Sequence, residues 1–174
     1  MISVMTDLLT LRPATRADLS AVDALLAHSY PRLLAADYPP SVRVMALPLI
    51  ARARPELLIS GSYWLAIDAD GAVVGAGGWT PGAPQPVAAA ATTGIGHVRH
   101  VVTAAGRVRQ GIGRALMLRA MRQARDAGVR QLDCLSTRTA VPFYEALGFG
   151  VIGPVDVPLR PGIVFPAIRM ARAL

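Results

Sequence analysis

Two groups of residues in this chain have types and spacing suited to chemistry, and a third bounds what chemistry is open to it. In "VRQGIGRALMLRAMRQARDAG", Val108 to Gly128, two glycines flank one isoleucine where a long helix should begin. Glycine costs a helix interior roughly 1 kcal/mol relative to alanine, so Gly111 and Gly113 suggest that something approaches the backbone closely. The first turn of a helix carries unpaired N–H groups and the positive end of the dipole. With no side chains at 111 and 113, a phosphate could lie directly on those donors, and Arg109 and Arg114 would add charge-assisted hydrogen bonds from the rim. The second group is His97, Arg99 and His100 in "IGHVRHVVT". A histidine near pKa 6.5 suits proton relay at neutral pH, although one at a strand start is more often only a hydrogen-bonding structural residue. Strand alternation puts residues 97, 99 and 101 on one face and 98, 100 and 102 on the other. Cys134, the lone cysteine, excludes an internal disulfide and a cysteine-built metal cluster; in the apolar run "QLDCLST" it reads as a small core side chain.

Charge narrows the partners without choosing one. The formal charge is +7, all 18 basic residues are arginine, and eight of them lie between Arg99 and Arg130 with Asp126 as the single acid. Such a face is either solvated or binds an anion, whether a phosphorylated cofactor or nucleic acid. A P-loop does not fit, because GxxxxGK[ST] is absent and the chain has no lysine. The dinucleotide fingerprint matches only two glycines, with Leu116 where the third belongs.

These residues must be positioned by a sheet and its helices. At 174 residues, 53% hydrophobic and 17% charged, the chain reads as one folded domain, 1–174, with a real core. "LLTLRPAT" predicts a first strand, and Thr15 with Asp18 an approximate capping box for a helix over "RADLSAVDALLAHS". Prolines at 31, 39, 40, 48 and 55 break the following stretch into short helices. "YWLAID" and "AVVGAGGWT" form a hairpin with Asp70-Gly71 in its turn. The loop "PGAPQPVAAAATTG" has no pattern and predicts mobility. After "IGHVRHVVT" comes the glycine-turn helix, with Ile112, Leu116, Met117, Ala120, Met121, Ala124 and Ala127 on one face and Arg114, Arg119, Arg122 and Arg125 on the other. "QLDCLST" is the next strand, "TAVPFYEAL" a short helix ended at Gly148, and "FGVIGPVDV" and "GIVFPAIRMA" close the chain around Pro161-Gly162. Pro166 inside the last strand implies an edge or a bulge. The order is mixed α/β.

Strand "HVRHVVT", the RQGIG turn with its helix, strand "QLDCLST" and "FYEALGF" about 30 residues after the turn together resemble the GNAT superfamily of acyl-CoA-dependent N-acyltransferases. "LRPATRADL" and "GAVVGAGGW" extend the likeness over nearly the whole chain. The resemblance implies a twisted, mostly antiparallel sheet of six to seven strands, with splayed central strands and helices on both faces. It places acetyl-CoA in the splay as co-substrate, its pyrophosphate on Arg109, Gln110, Gly111, Ile112, Gly113 and Arg114, and its pantetheine along Val101 and Thr103. Val108 and Thr137 stand where the family usually has glutamine or arginine and asparagine; Thr137 is carried over as a cofactor contact. The resemblance also sets Tyr144 beside the CoA sulfur, as proton donor to the departing thiolate, and His97 where several relatives keep a base, with water as the alternative. Phe143 reads as core.

The implied activity is N-acetyl transfer by direct attack of an amine in a ternary complex. An alkyl ammonium near pKa 10.4 must first lose its proton. The acceptor pocket is expected from residues 30–60 and the 81–94 loop, with Tyr30, Tyr38, Tyr63 and Trp79 as wall candidates. Asp37 and Glu56 are the only acids in 30–60, which favours a small monoamine, amino acid or hydrophobic amine over a polycation. Arg99 would orient an acidic acceptor or depress the pKa of His97. A non-catalytic acyl-CoA sensor is the alternative, and a nucleic-acid module is disfavoured because the aromatics do not interleave with the arginines. No metal is expected, no apolar run reaches the roughly 18 residues of a membrane span, no secretion signal is evident, and the expectation is a cytoplasmic protein for which a homodimer is allowed.

Overall fold

The computed structural model describes residues 8–83 and 93–174. β1 (Thr10–Pro13) leads through a 3-10 turn, Arg16–Asp18, into α1 (Leu19–Leu33). The junction is pinned as the capping pattern implies. The Asp18 carboxylate accepts from the Thr15 N–H at 2.7 Å and holds the Arg12 guanidinium through two contacts of 2.7 and 2.9 Å. That guanidinium pulls the Asp18 carboxyl down to about 2, against the opposing pull of burial. α1 runs one turn further than the sequence predicts and passes through Pro31. A proline so close to the helix end forfeits only one backbone bond there. α2 (Pro40–Ile50) and α3 (Pro55–Leu58) each begin on a proline, where the missing N–H would have had no partner anyway.

β2 (Tyr63–Ile67), β3 (Val73–Thr80) and β4 (Ile95–Thr103) continue an antiparallel meander from β1. α4 (Ile112–Asp126) crosses to β5 (Gln131–Ser136), which runs parallel to β4, and α5 (Val141–Ala146) leads to the hairpin of β6 (Gly150–Arg160) and β7 (Ile163–Ala173). The seven strands lie in the order β1-β2-β3-β4-β5-β7-β6, the mixed α/β sheet that the pattern implies. α1 and α3 bury Leu26, Leu57 and Leu58 against Tyr63, Leu65 and Val102 on one face, and α2 sets Leu47 against Phe165 of β7. α4 and α5 cover the other face, where Met117, Met121, Tyr144 and Leu147 pack with Leu132 and Met170. Six of the seven apolar positions expected on the inner face of α4 are buried. Ala127 is exposed, because the helix has ended by then. The Arg119 guanidinium lies over the Trp64 ring, 4.2 Å from its centroid, so this cation covers an aromatic face instead of standing free.

Pro166 sits in an internal strand but at a local edge. β5 stops at the Ser136–Ile168 rung, so β7 from Phe165 to Ala167 is paired by β6 alone. The Tyr38 hydroxyl takes over there. It donates to the Pro166 carbonyl at 2.8 Å and accepts from the Arg138 N–H at 2.9 Å, while its ring stacks on Phe165 at 4.8 Å.

Candidate active site

The site begins where two parallel strands part. β4 and β5 share only three rungs, Ile95–Gln131, Gly96–Leu132 and His97–Asp133. Beyond them Val98–Thr103 stays with β3 and Cys134–Ser136 with β7. A cavity of about 610 Å³ fills the gap, within the range of small-ligand sites. Its walls include Tyr30 and Leu33 of α1 with the cap residue Leu34, and Phe143 and Tyr144 of α5. Helices from opposite faces therefore meet in one cavity, which pierces the sheet.

A bulge shapes the β4 wall. His100 has φ +43°, and the register to β3 slips between Ala76 and Gly78. The Tyr63 hydroxyl donates to the His100 carbonyl at 2.8 Å. The bulge resets the alternation expected from a regular strand. Val98 and Val101 pack with the α4 cluster while Val102 packs with the α1 cluster. Residues 97, 99 and 101 thus do not share one face.

At the other wall Gly111 is the N-cap of α4 with φ +81°, a left-handed conformation that only glycine adopts without strain. No side chain caps the helix, and a Cβ at 111 would meet nothing within 4 Å. Gly113 has a different reason. A Cβ there would lie 3.1 Å from two ring carbons of Phe143 and 3.3 Å from Thr103 Oγ1. The second glycine lets Phe143 pack against the start of α4.

Of the residues singled out in the sequence, Val101, Thr103, Arg109, Gly111, Ile112, Gly113, Arg114, Thr137 and Tyr144 all border the cavity. The Ile112 side chain itself is buried with Trp64 and Leu116. Gln110 is not in the wall; its Oε1 accepts from Arg107 Nε at 2.8 Å. Thr137 Oγ1 accepts from the Ala140 N–H at 3.1 Å, bracing the approach to α5. His97 is not in the wall either. It stands on the last shared rung, half-buried, and burial lowers its pKa while Asp133 opposes the shift. Of the four aromatic wall candidates only Tyr30 reaches the cavity. Tyr38 and Tyr63 are buried and committed to the hydrogen bonds above, and Trp79 donates to Gln123 Oε1 at 3.3 Å from within the core. Most of the 81–94 loop, residues 84–92, lies outside the described residues.

Tyr144 is buried between Phe143 and Phe149, edge to face with both. Burial pushes its hydroxyl well above the usual phenol range, with the neighbouring Cys134 adding to the shift. The Cys134 thiol is itself pushed up to about 12 by burial, so it stays protonated and inert. His100, in the wall, is pushed down to about 4 by burial and by the guanidinium groups of Arg99 and Arg54. A base that weak is far from the optimum for proton transfer at neutral pH. Sequence reasoning missed His100 as a wall residue, and nothing in "HVRHVVT" signals the bulge that puts it there.

No helix among the described residues is long and apolar enough to cross a membrane. No curated protein matches the sequence significantly. Solved structures share the fold. PaiA N-acetyltransferase from Thermoplasma acidophilum in complex with coenzyme A superposes with a TM-score of 0.70 at 15% identity, over 96% of this chain and 99% of that one. A GCN5-related N-acetyltransferase from Rhodopseudomonas palustris gives 0.73 at 18%, over 100% and 99%. A Mycobacterium tuberculosis protein in complex with CoA gives 0.63 at 20%, over 95% and 99%. The family model for the acetyltransferase (GNAT) domain matches residues 60–151, from the start of β2 to the start of β6. The matched segment contains both walls of the parting strands and exceeds half the chain, so this protein belongs to the GNAT acetyltransferase family.

Proposed function

We propose that the chain is an N-acetyltransferase that moves the acetyl group of acetyl-CoA to the amine of a small molecule by direct attack, both substrates being bound together. The observation that carries this reading is the pairing of an uncapped helix start at Gly111 with a cavity that crosses the sheet between unpaired strand edges. The open ground above Gly111 fits a diphosphate on the first N–H groups of α4. Arg109 and Arg114 border it as rim cations. The edge of β4 from Val98 to Thr103, unpaired toward β5, offers backbone donors and acceptors to an extended amide-bearing arm along Val101 and Thr103. Acetyl-CoA supplies an activated thioester carbonyl, and CoA leaves as a thiolate.

Tyr144 serves the leaving sulfur. Its raised pKa keeps the hydroxyl protonated, and it exceeds the roughly 8.5 of an ordinary thiol. The hydroxyl therefore stabilises the thiolate by hydrogen-bond donation and keeps its own proton; the amine's proton goes to water, and the released thiolate takes a proton from solvent. For the incoming amine, His97 is neutral at pH 7 because burial lowers its pKa, but it stands one rung below the cavity. It would receive the proton only through water, and water in the cavity is the nearer acceptor. Cys134 takes no part, since direct attack needs no covalent enzyme intermediate.

Calorimetric titration with acetyl-CoA, followed by thiol-release assays across an amine panel, tests the proposal. Binding plus amine-dependent release is expected. Binding without release for any amine would instead favour the sensor reading.

A further inference from the structure

We infer that the acceptor carries a carboxylate beside its reactive amine and that Arg99 anchors it; this rests on the acetyltransferase reading above. Arg99 follows the parting of β4 and β5 by two residues and precedes the His100 bulge. It is in register with Gly78, which is in register with Tyr63, a residue packed against α1 and α3. Arg99 is not itself in the cavity wall, but its neighbours Val98 and His100 are, and its side chain lies on the sheet face from which Tyr30, Leu33 and Leu34 enter the cavity.

A guanidinium has five N–H donors. Among the described residues, one bond from Arg99 is made, Nη1 to Thr80 Oγ1 at 3.1 Å, and Nε is shielded from water without a partner. An unsatisfied buried donor is destabilising, and a planar carboxylate is the group whose geometry satisfies a guanidinium fork. Among the described residues the protein supplies none. Glu56 is close enough to be felt by Arg99 yet forms no ion pair with it among the described residues, and Arg54 adds a second cation to the neighbourhood. His97 and His100, both with lowered pKa values and both felt by Arg99, and Tyr63, un-ionised, are the other titratable groups around it.

Two cations without a bound anion attract a carboxylate. They also destabilise an ammonium held nearby and so favour the neutral amine that attack requires. Both effects act on one molecule when amine and carboxylate are separated by a single carbon, as in an amino acid. The amine nitrogen forms the new bond to the acetyl carbon, the carbon–sulfur bond breaks, and the amine proton leaves to water while the carboxylate stays on Arg99.

The test compares kcat/KM for thiol release from acetyl-CoA with free amino acids, the matching amino-acid amides and the matching decarboxylated amines, using the full chain. The acids are expected to exceed their amides at least tenfold. In Arg99→Gln that ratio should fall at least tenfold, mainly through KM for the acid, and the acid limb of the kcat/KM–pH profile should move to higher pH as the ammonium becomes easier to keep. Arg99→Lys should recover part of the ratio. Equal use of acids and amides by the unaltered protein, or an Arg99→Gln variant that slows both alike and keeps their ratio, would overturn the carboxylate assignment and leave the acetyltransferase standing. Failure to bind acetyl-CoA at all would remove both.

Discussion

The two flanks of β5 end differently, and the difference separates structure from function in this fold. Toward β7 the strand makes six rungs, and where it stops Tyr38 bridges Pro166 and Arg138 in its place. Toward β4 it makes three rungs and, among the described residues, no side chain takes over; a cavity opens instead. Unpaired strand edges are costly when buried, so a fold seals them unless something else is meant to lie there. The sealed side shows that the chain has the means to close such a gap. The open side is left to a ligand.

The largest expected effect tests the open side. Tyr144→Phe should lower turnover on the order of 10²-fold, the usual loss for one positioned donor, with CoA affinity changed little; titration and steady-state assays check this, and unchanged turnover removes Tyr144 from the chemistry. Next is the titration of His100 in the cavity wall. Its folded pKa of about 4 lies below the unfolded value near 6.5, so below pH 6.5 the unfolded chain takes up a proton that the folded chain refuses. Stability is complete above 6.5, falls by roughly 2–3 kcal/mol as pH drops toward 4, and is then flat with respect to this group. His100→Asn, which tolerates the positive φ, should flatten that slope in thermal melts between pH 4 and 7. The sealed side comes third. Tyr38→Phe leaves the stacking on Phe165 but strands a carbonyl and an N–H, costing about 1–3 kcal/mol in chemical denaturation with turnover within a few-fold; no loss of stability would undo the contrast between the flanks. The smallest change is at Cys134, where Cys134→Ala should keep turnover within about threefold. In the unaltered protein a thiol held near 12 should resist iodoacetamide at pH 8, because almost none of it is thiolate.

Much of this was legible before any coordinates. "IGHVRHVVT" gives β4 to the residue, the shared helix face of Ile112, Leu116, Ala120 and Ala124 gives α4, and Pro166 announces a missing neighbour. Those are local signals: period, caps and backbone chemistry. What stayed hidden depends on contacts distant in the chain. The length over which β4 and β5 pair is set by how β3 and β7 pull them apart, and no residue encodes it alone. The bulge at His100 moves Val101 to the other face, although the bare strand alternates regularly. Tyr38 reads as a wall aromatic until Arg138, a hundred residues away, is seen to bind it. Gly113 looks like the twin of Gly111, yet one glycine serves backbone torsion and the other makes room for a ring.

The outermost strand has a consequence of its own. β6 is eleven residues long, borders the sheet, and leaves Val151 and Ile152 53% and 56% exposed, a profile that invites chains to stack edge on edge. Pro154 and Pro158 interrupt its row of donors, and the register to β7 shifts on either side of them. A neighbouring molecule's strand would find gaps where it needs hydrogen bonds. Those two imino acids act as a standing guard against fibril growth in concentrated solution.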